Sequence, residues 1–420
     1  MKINRLSSGC IYGLENTAKF KDVTLQVRFY YPWNKENAAY GSLIAGFICE
    51  QTAKYPTKQA LSDHLDQLYG ANLGVENINL GNCGCLCFVL KVVNGRFVSE
   101  ELFTRQLTTI KEVITDPARE ADGFLASLFN EAQANMLAYI KRQKDEPEQY
   151  ALLRAREIYG AEQPLAVPPY GAEKIIKKAK NNEVYKWYIK LLEEAAMEVF
   201  AVGEINVEEE KALAKFVRSL GHDRPTALPD FCYHKPFFAY NEVREEAQVD
   251  QSQVLVMYNG AVNIGDDDYF KLAVGCVLFG QLPTSLLFQE VREKHSLAYS
   301  VYSRLLRYEG GMMVATGVAR KNIAKTVKLI NKLFARMRKG DFSEELLKTA
   351  TDLLINSQLT YFDEPGGYIH ETVNLLHCRA DLTVAKTIEE IRKVTKEEVV
   401  SAFRELIPET LYIYQQADKQ

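Results

Sequence analysis

The chain has 420 residues, 47% of them apolar and 25% charged, with a formal net charge of -4. That length exceeds one comfortable core and points to two or three domains. The slightly acidic balance argues against nucleic acid as the main partner, because neutralising phosphates needs a basic surface.

No stretch reaches the roughly 18 uninterrupted apolar residues of a membrane span, so no membrane association is expected. Residues 1–10 hold no apolar run of signal-peptide length, and the expected location is cytoplasmic. Eight cysteines without a disulfide-scaffold spacing fit a reducing compartment.

In chain order, 23–31 reads as a strong strand closed by Pro32. An apolar helix is expected over 39–54, and a second one capped by Thr57 runs to Gly70. Strands at 71–78 and 85–93 flank a turn at 81–84. Cys83, Cys85 and Cys87 alternate there and share one face, which could hold a soft metal. The apolar strand around them favours packing as small apolar side chains instead. Helices follow at 99–115 and 121–159, the second interrupted at Pro147, then a helical region at 172–194. A strand at 198–203 enters a further helix. The polar, proline-bearing stretch 221–236 reads as a linker.

Beyond it the order repeats. A strand is expected at 253–258, helices at 269–280 and 284–295, and strands at 297–306 and 312–318. Two long helices at 322–338 and 344–361 lead on to a last strand at 410–414. Helix, Tyr-Gly, strand, glycine turn and strand at 61–93 are echoed at 286–318. A repeat of that size means two similar domains rather than a solenoid. The fold class is therefore α+β, with domains at 1–225 and 226–420. Each would be an α/β sandwich, an antiparallel-rich sheet covered by helices, and the two would form a clamshell.

Residues 284–303 change period from helix to strand near Ser296. Thr284 or Ser285 caps the helix, with Phe288, Val291 and His295 on one face. Arg292 leaves its last turn, and Tyr299 leaves the first residues of the strand. Arg292, Lys294, Leu297 and Tyr299 match the pattern R-x-K-x-x-L-x-Y. This element resembles the second half of the pitrilysin/insulinase zinc peptidases, the inverzincins, where its Arg and Tyr grip the substrate backbone.

An active member of that family carries H-x-x-E-H on the helix after its first strand. Aligned on Gln51 and Thr52, this chain has Ser42, Ala45 and Gly46 at the ligand and base positions. Alanine and glycine offer no donor atom, and serine is a poor zinc ligand beside imidazole. His64, on the next helix, has no second histidine near it and reads as structural. Asp145 and Glu146 resemble the acid-Pro sequence after the family's third ligand, and read here as a solvated helix break. The remaining histidines (222, 234, 295, 370 and 377) lie in the linker or the second half.

The resemblance implies a non-catalytic member of the bacterial two-domain branch, similar to its Ymf-type proteins. Such a chain would bind no zinc and be no enzyme on its own. It would be the substrate-gripping or regulatory subunit of a heterodimeric peptidase, holding peptide through Arg292 and Tyr299. Its partner would be a homologue that bears the zinc motif. The alternative is a peptide-binding or scaffold protein without a peptidase partner, linked to modification of elongation factor P.

Overall fold

Residues Asp22–Pro32 (β3) alternate Val23, Leu25, Val27 and Phe29 on one face with Thr24, Gln26, Arg28 and Tyr30 on the other. That strand is central to a six-stranded sheet in a computed structural model, which describes residues 1–98, 100–221, 223–379 and 382–417. Ser99 and His222, named above, lie outside the described residues.

The chain divides into two compact units. The first comprises Met1–Ile140, Val167–Asp230 and Tyr361–His377; the second comprises Lys141–Ala166, Phe231–Thr360 and Cys378–Gln420. The changeover at Asp230 falls in the stretch read as a linker. Two further segments belong to the unit opposite their own half of the sequence. The units are thus not two halves cut once near residue 225.

In the first unit, β1 (Lys2–Ser7), β2 (Cys10–Asn16), β4 (Asn72–Leu80) and β5 (Cys83–Val93) join β3. A small hairpin, β6 (Arg119–Glu120) and β7 (Gly123–Phe124), stands apart, and β8 (Met197–Gly203) completes the main sheet. The strand order is β1-β2-β8-β3-β5-β4, antiparallel except for the β2–β8 pair. Leu25, Val27, Phe29, Leu86, Phe88 and Val199 of one face are buried under helices that include Leu102–Thr115 and Asn181–Glu194.

The second unit contains β9 (Asn241–Ala247), β10 (Ser252–Asn259), β11 (Ala298–Leu305), β12 (Met312–Val318) and β13 (Ile407–Gln416). Their order is β11-β12-β10-β13-β9, again antiparallel except for β13–β9. Reading β4-β5-β3-β8-β2 against it matches strand for strand and direction for direction. The duplication expected from the sequence is a duplication of topology.

Each sheet has its second face covered by a helix. In the second unit, Pro147–Gly160 lays Ala151, Ala155 and Tyr159 on Leu255, Met257 and Tyr412. Its small residues allow close approach. In the first unit that role falls to Pro365–Cys378, whose His377 reaches the sheet. Among the described residues no helix is long and apolar enough to cross a membrane.

Candidate functional site

The helix Lys35–Ala45 carries the positions where a zinc site would be sought. Asn34 caps it, its side chain accepting from the amides of Glu36 and Asn37. Ser42 is buried, and its Oγ donates to the Pro169 carbonyl and accepts from Asn77 Nδ2, both at 2.9 Å. Asn77 also donates to the Ala38 carbonyl at 3.1 Å and accepts from the Tyr31 hydroxyl. Gly171 (φ +71°) holds the Pro169 loop against this helix, since a Cβ there would stand 2.3 Å from the Lys35 carbonyl.

Ala45 is the last helical residue and Gly46 the exposed cap. The helix is shorter than the 39–54 expected: it ends at Ala45 before Gly46, a poor helix former, and residues 46–50 form turns. Zinc does not fit these residues: the Ser42 oxygen is engaged twice, and Ala45 and Gly46 have nothing to donate. Among the described residues no three His, Cys, Asp or Glu side chains group closely enough to hold a metal ion. Asp145 and Glu146 are exposed at the break before Pro147, in the second unit. His64 stacks on Tyr55 with centroids 4.4 Å apart and meets Thr109 Oγ1 at 2.8 Å, which is a structural role.

Arg292 and Tyr299 are brought together. The expected α-helix over 284–295 is instead a π-helix from Phe288 to Lys294, entered where Ser285 Oγ accepts from the Phe288 amide at 3.4 Å. Five-residue bonding closes it, with the His295 amide donating to the Glu290 carbonyl at 3.2 Å. Such segments are rare and concentrate at functional sites. Ser296 then turns the chain with φ +49°, a left-handed conformation that costs a serine roughly 1–3 kcal/mol.

β11 begins with an irregular register against β12 between Ala298 and Val301, so Tyr299 sits in a bulge at the outer edge of the sheet. Its side chain is 81% exposed. The Arg292 guanidinium lies 5.2 Å from the Tyr299 ring centre and 4.5 Å from that of Phe288. Cation–π contact with two rings fixes the guanidinium while its N–H groups keep their donor capacity. A strained turn, a π-helix and a bulge converge on two solvent-facing donors.

The sequence reading missed a buried polar cluster in the first unit. Tyr30 donates to Glu198 Oε2, Arg28 Nε donates to the Tyr30 hydroxyl at 3.0 Å, and Glu198 Oε1 meets His377 Nε2 at 2.8 Å. His377 Nδ1 lies 2.6 Å from the Pro229 carbonyl. Cys85 and Cys87 share this face and are buried, Arg28 Nη1 standing 3.9 Å from Cys87 Sγ. Burial pushes the Cys83 thiol up to about 12, so that thiol is inert at neutral pH. The available signal was polar residues at alternate positions of otherwise apolar strands: Gln26, Arg28 and Tyr30 in one, Glu198 in another.

Comparison with known proteins agrees with the geometry. Residues 178–354 match the model of the peptidase M16 inactive domain. The chain is 24% identical over 98% of its length to a Bacillus subtilis protein described as a probable inactive metalloprotease, YmfF, and covers 97% of it. It is 22% identical to an uncharacterized zinc protease of the same organism, YmxG, over 69% of this chain and 71% of that one. A conserved protein from Enterococcus faecalis superposes with a TM-score of 0.92 at 26% identity, covering 100% of this chain and 99% of that one.

The fold is thus shared with M16-type structures, and Ser42, Ala45 and Gly46 offer no set of metal ligands. Over residues 178–354 the chain is similar to the M16 inactive domain, and over nearly its whole length to a relative described as a probable inactive metalloprotease.

Proposed function

We propose that the chain is the substrate-gripping, non-catalytic subunit of a heterodimeric zinc peptidase, with Arg292 and Tyr299 holding the backbone of a bound peptide. The observation that carries this reading is the display of the pair: an 81% exposed tyrosine with an arginine stacked 5.2 Å from its ring, at the edge of a sheet. Isolated surface residues do not need a π-helix and a left-handed serine to position them.

The phenol and guanidinium both donate to a peptide carbonyl at neutral pH, and donors fixed before substrate arrives need little reorganisation as charge develops on it. Zinc and the hydrolytic step belong to a homologous partner that keeps H-x-x-E-H. The co-occurrence of an inactive-type and a zinc-type relative in one organism is compatible with such pairing. The expected location is the cytoplasm. Co-expression with the zinc-motif homologue of the same genome tests the pairing. The expected product is a 1:1 complex holding one zinc on the partner, with peptidase activity above that of either chain alone. If the two chains elute separately and mixing changes no rate, the alternative of a peptide-binding scaffold without a peptidase partner replaces this reading.

A further inference from the structure

Beside the Arg292–Tyr299 pair, the second unit has a cleft of about 620 Å³. Its floor is five successive residues, 300–304, of the edge strand β11. One wall is the turn through Leu282 and Pro283, and another is Phe288 with Arg292 on the π-helix. That volume lies within the range of small-ligand sites. The floor is an outer strand, the kind of surface that accepts an extended peptide, whose alternate side chains then point to opposite faces.

The charge lining the cleft has one sign. Arg292 and Arg304 contribute guanidinium groups, and none of the lining residues is Asp or Glu. Two carboxylates stand beside the lining without belonging to it. Glu293 stands 3.5 Å from Arg292 Nε and is 53% exposed, while Glu148 accepts from the Tyr302 hydroxyl at 3.4 Å. An exposed pair of the first kind contributes little and yields readily to a better-placed anion. Arg156 lies within electrostatic reach of Arg304, although Glu309 is its stronger charge partner. Leu282, Pro283 and Phe288 supply an apolar wall, so a bound carboxylate would sit against low-dielectric surface, where charge-assisted bonds are strongest.

We infer that this cleft is an acidic-peptide subsite: it takes an extended segment whose carboxylates pair with Arg292 and Arg304 while its apolar portions rest on Phe288 and Leu282. The inference rests on the gripping reading only in taking the ligand to be a peptide; the charge preference stands on Arg304 and the lining of the cleft. The carboxylates are Asp or Glu side chains of that segment.

The test uses the whole chain without any partner and fluorescein-labelled unstructured peptides of one sequence. Their central residues are Glu, Gln or Lys, each made with a free and an amidated C-terminus. Anisotropy titrations at low salt should give the Glu peptide about tenfold tighter binding than the Gln peptide, with Lys weakest. That order should survive amidation, because the contrast lies in the central side chains, and its loss overturns the assignment to the side chain. R304Q should flatten the preference and R304E reverse it, both variants melting as the parent does because Arg304 is exposed. Equal binding of Glu and Gln peptides, an unchanged order in R304E, or no binding of any peptide overturns the inference. Failure of the gripping reading looks different: Y299F complexes would keep full turnover while the Arg304-dependent charge preference remained.

Discussion

Glu198 and His377 stand 179 positions apart in the chain, yet their side chains meet at 2.8 Å with exposures of 0% and 2%. The contact ties the helix Pro365–Cys378 to the sheet of the first unit, although in sequence that helix lies between β12 and β13 of the second unit's sheet. A buried carboxylate stripped of such a partner is left undersolvated. His377→Leu should therefore lower unfolding stability by about 1–3 kcal/mol, the cost of leaving a buried polar group without one partner, read from urea titrations. Glu198→Gln in the same chain should recover part of that loss, since a neutral amide costs less to bury with one partner fewer. Additive losses in the double variant would contradict the pairing.

The stretch 221–236 has the composition of a linker, but parts of it are anchored. Arg224, Phe231 and Lys235 are buried, and Lys235 Nζ meets Glu409 at 2.5 Å with side-chain exposures of 0% and 2%. Exposed aromatics follow immediately: Phe237, Phe238 and Tyr240 are 50%, 42% and 55% accessible. Limited chymotrypsin digestion should cut first within 237–240 rather than at Phe231, with fragment masses identifying the site. A first cut at Phe231 would mean that its burial is not maintained in solution.

His64 gives a pH dependence of defined sign. Burial and the nearby Lys54 lower its pKa from the ordinary value, with Arg105 acting the same way and Glu112 opposing. The unfolded chain then binds more protons at this position just below the unfolded pKa of about 6.5. Stability is fully present above that pH and falls as pH drops toward the folded value. His64→Gln should flatten the decline in melting temperature between about pH 7 and 5. The effect should be small, because the ring is only half buried.

Much of the fold was legible because it rests on local period and punctuation. The helix Tyr269–Gly280 matches its expected bounds, and Thr57 caps its helix through the Ala60 amide at 3.0 Å as read. What stayed hidden was set by long-range partners. Pro147–Gly160 and Pro365–Cys378 are plain helices in sequence, and nothing local says which sheet each will cover. The π-helix at Phe288–Lys294 escaped because a shift from four-residue to five-residue bonding leaves the apolar spacing of seven residues nearly unchanged. Arg292 and Tyr299 were singled out through their pattern. Their stacking, the bulge beneath Tyr299 and the strain at Ser296 needed coordinates. Glu198 was read only as part of a strand and His377 only as one leftover histidine, since their meeting depends on tertiary placement alone.

The central claim is that Arg292 and Tyr299 hold the substrate of a peptidase complex. The measurement that meets it most directly is the turnover of a peptide by the chain co-assembled with its zinc-motif homologue, parent against Tyr299→Phe. Melting temperature and complex stoichiometry are recorded on the same samples. Loss of one transition-state donor should slow turnover by about a hundredfold to a thousandfold, or about 2.7–4 kcal/mol. Stability and assembly should be unchanged, because the tyrosine is 81% exposed. Full turnover in a well-folded Tyr299→Phe complex would contradict the account.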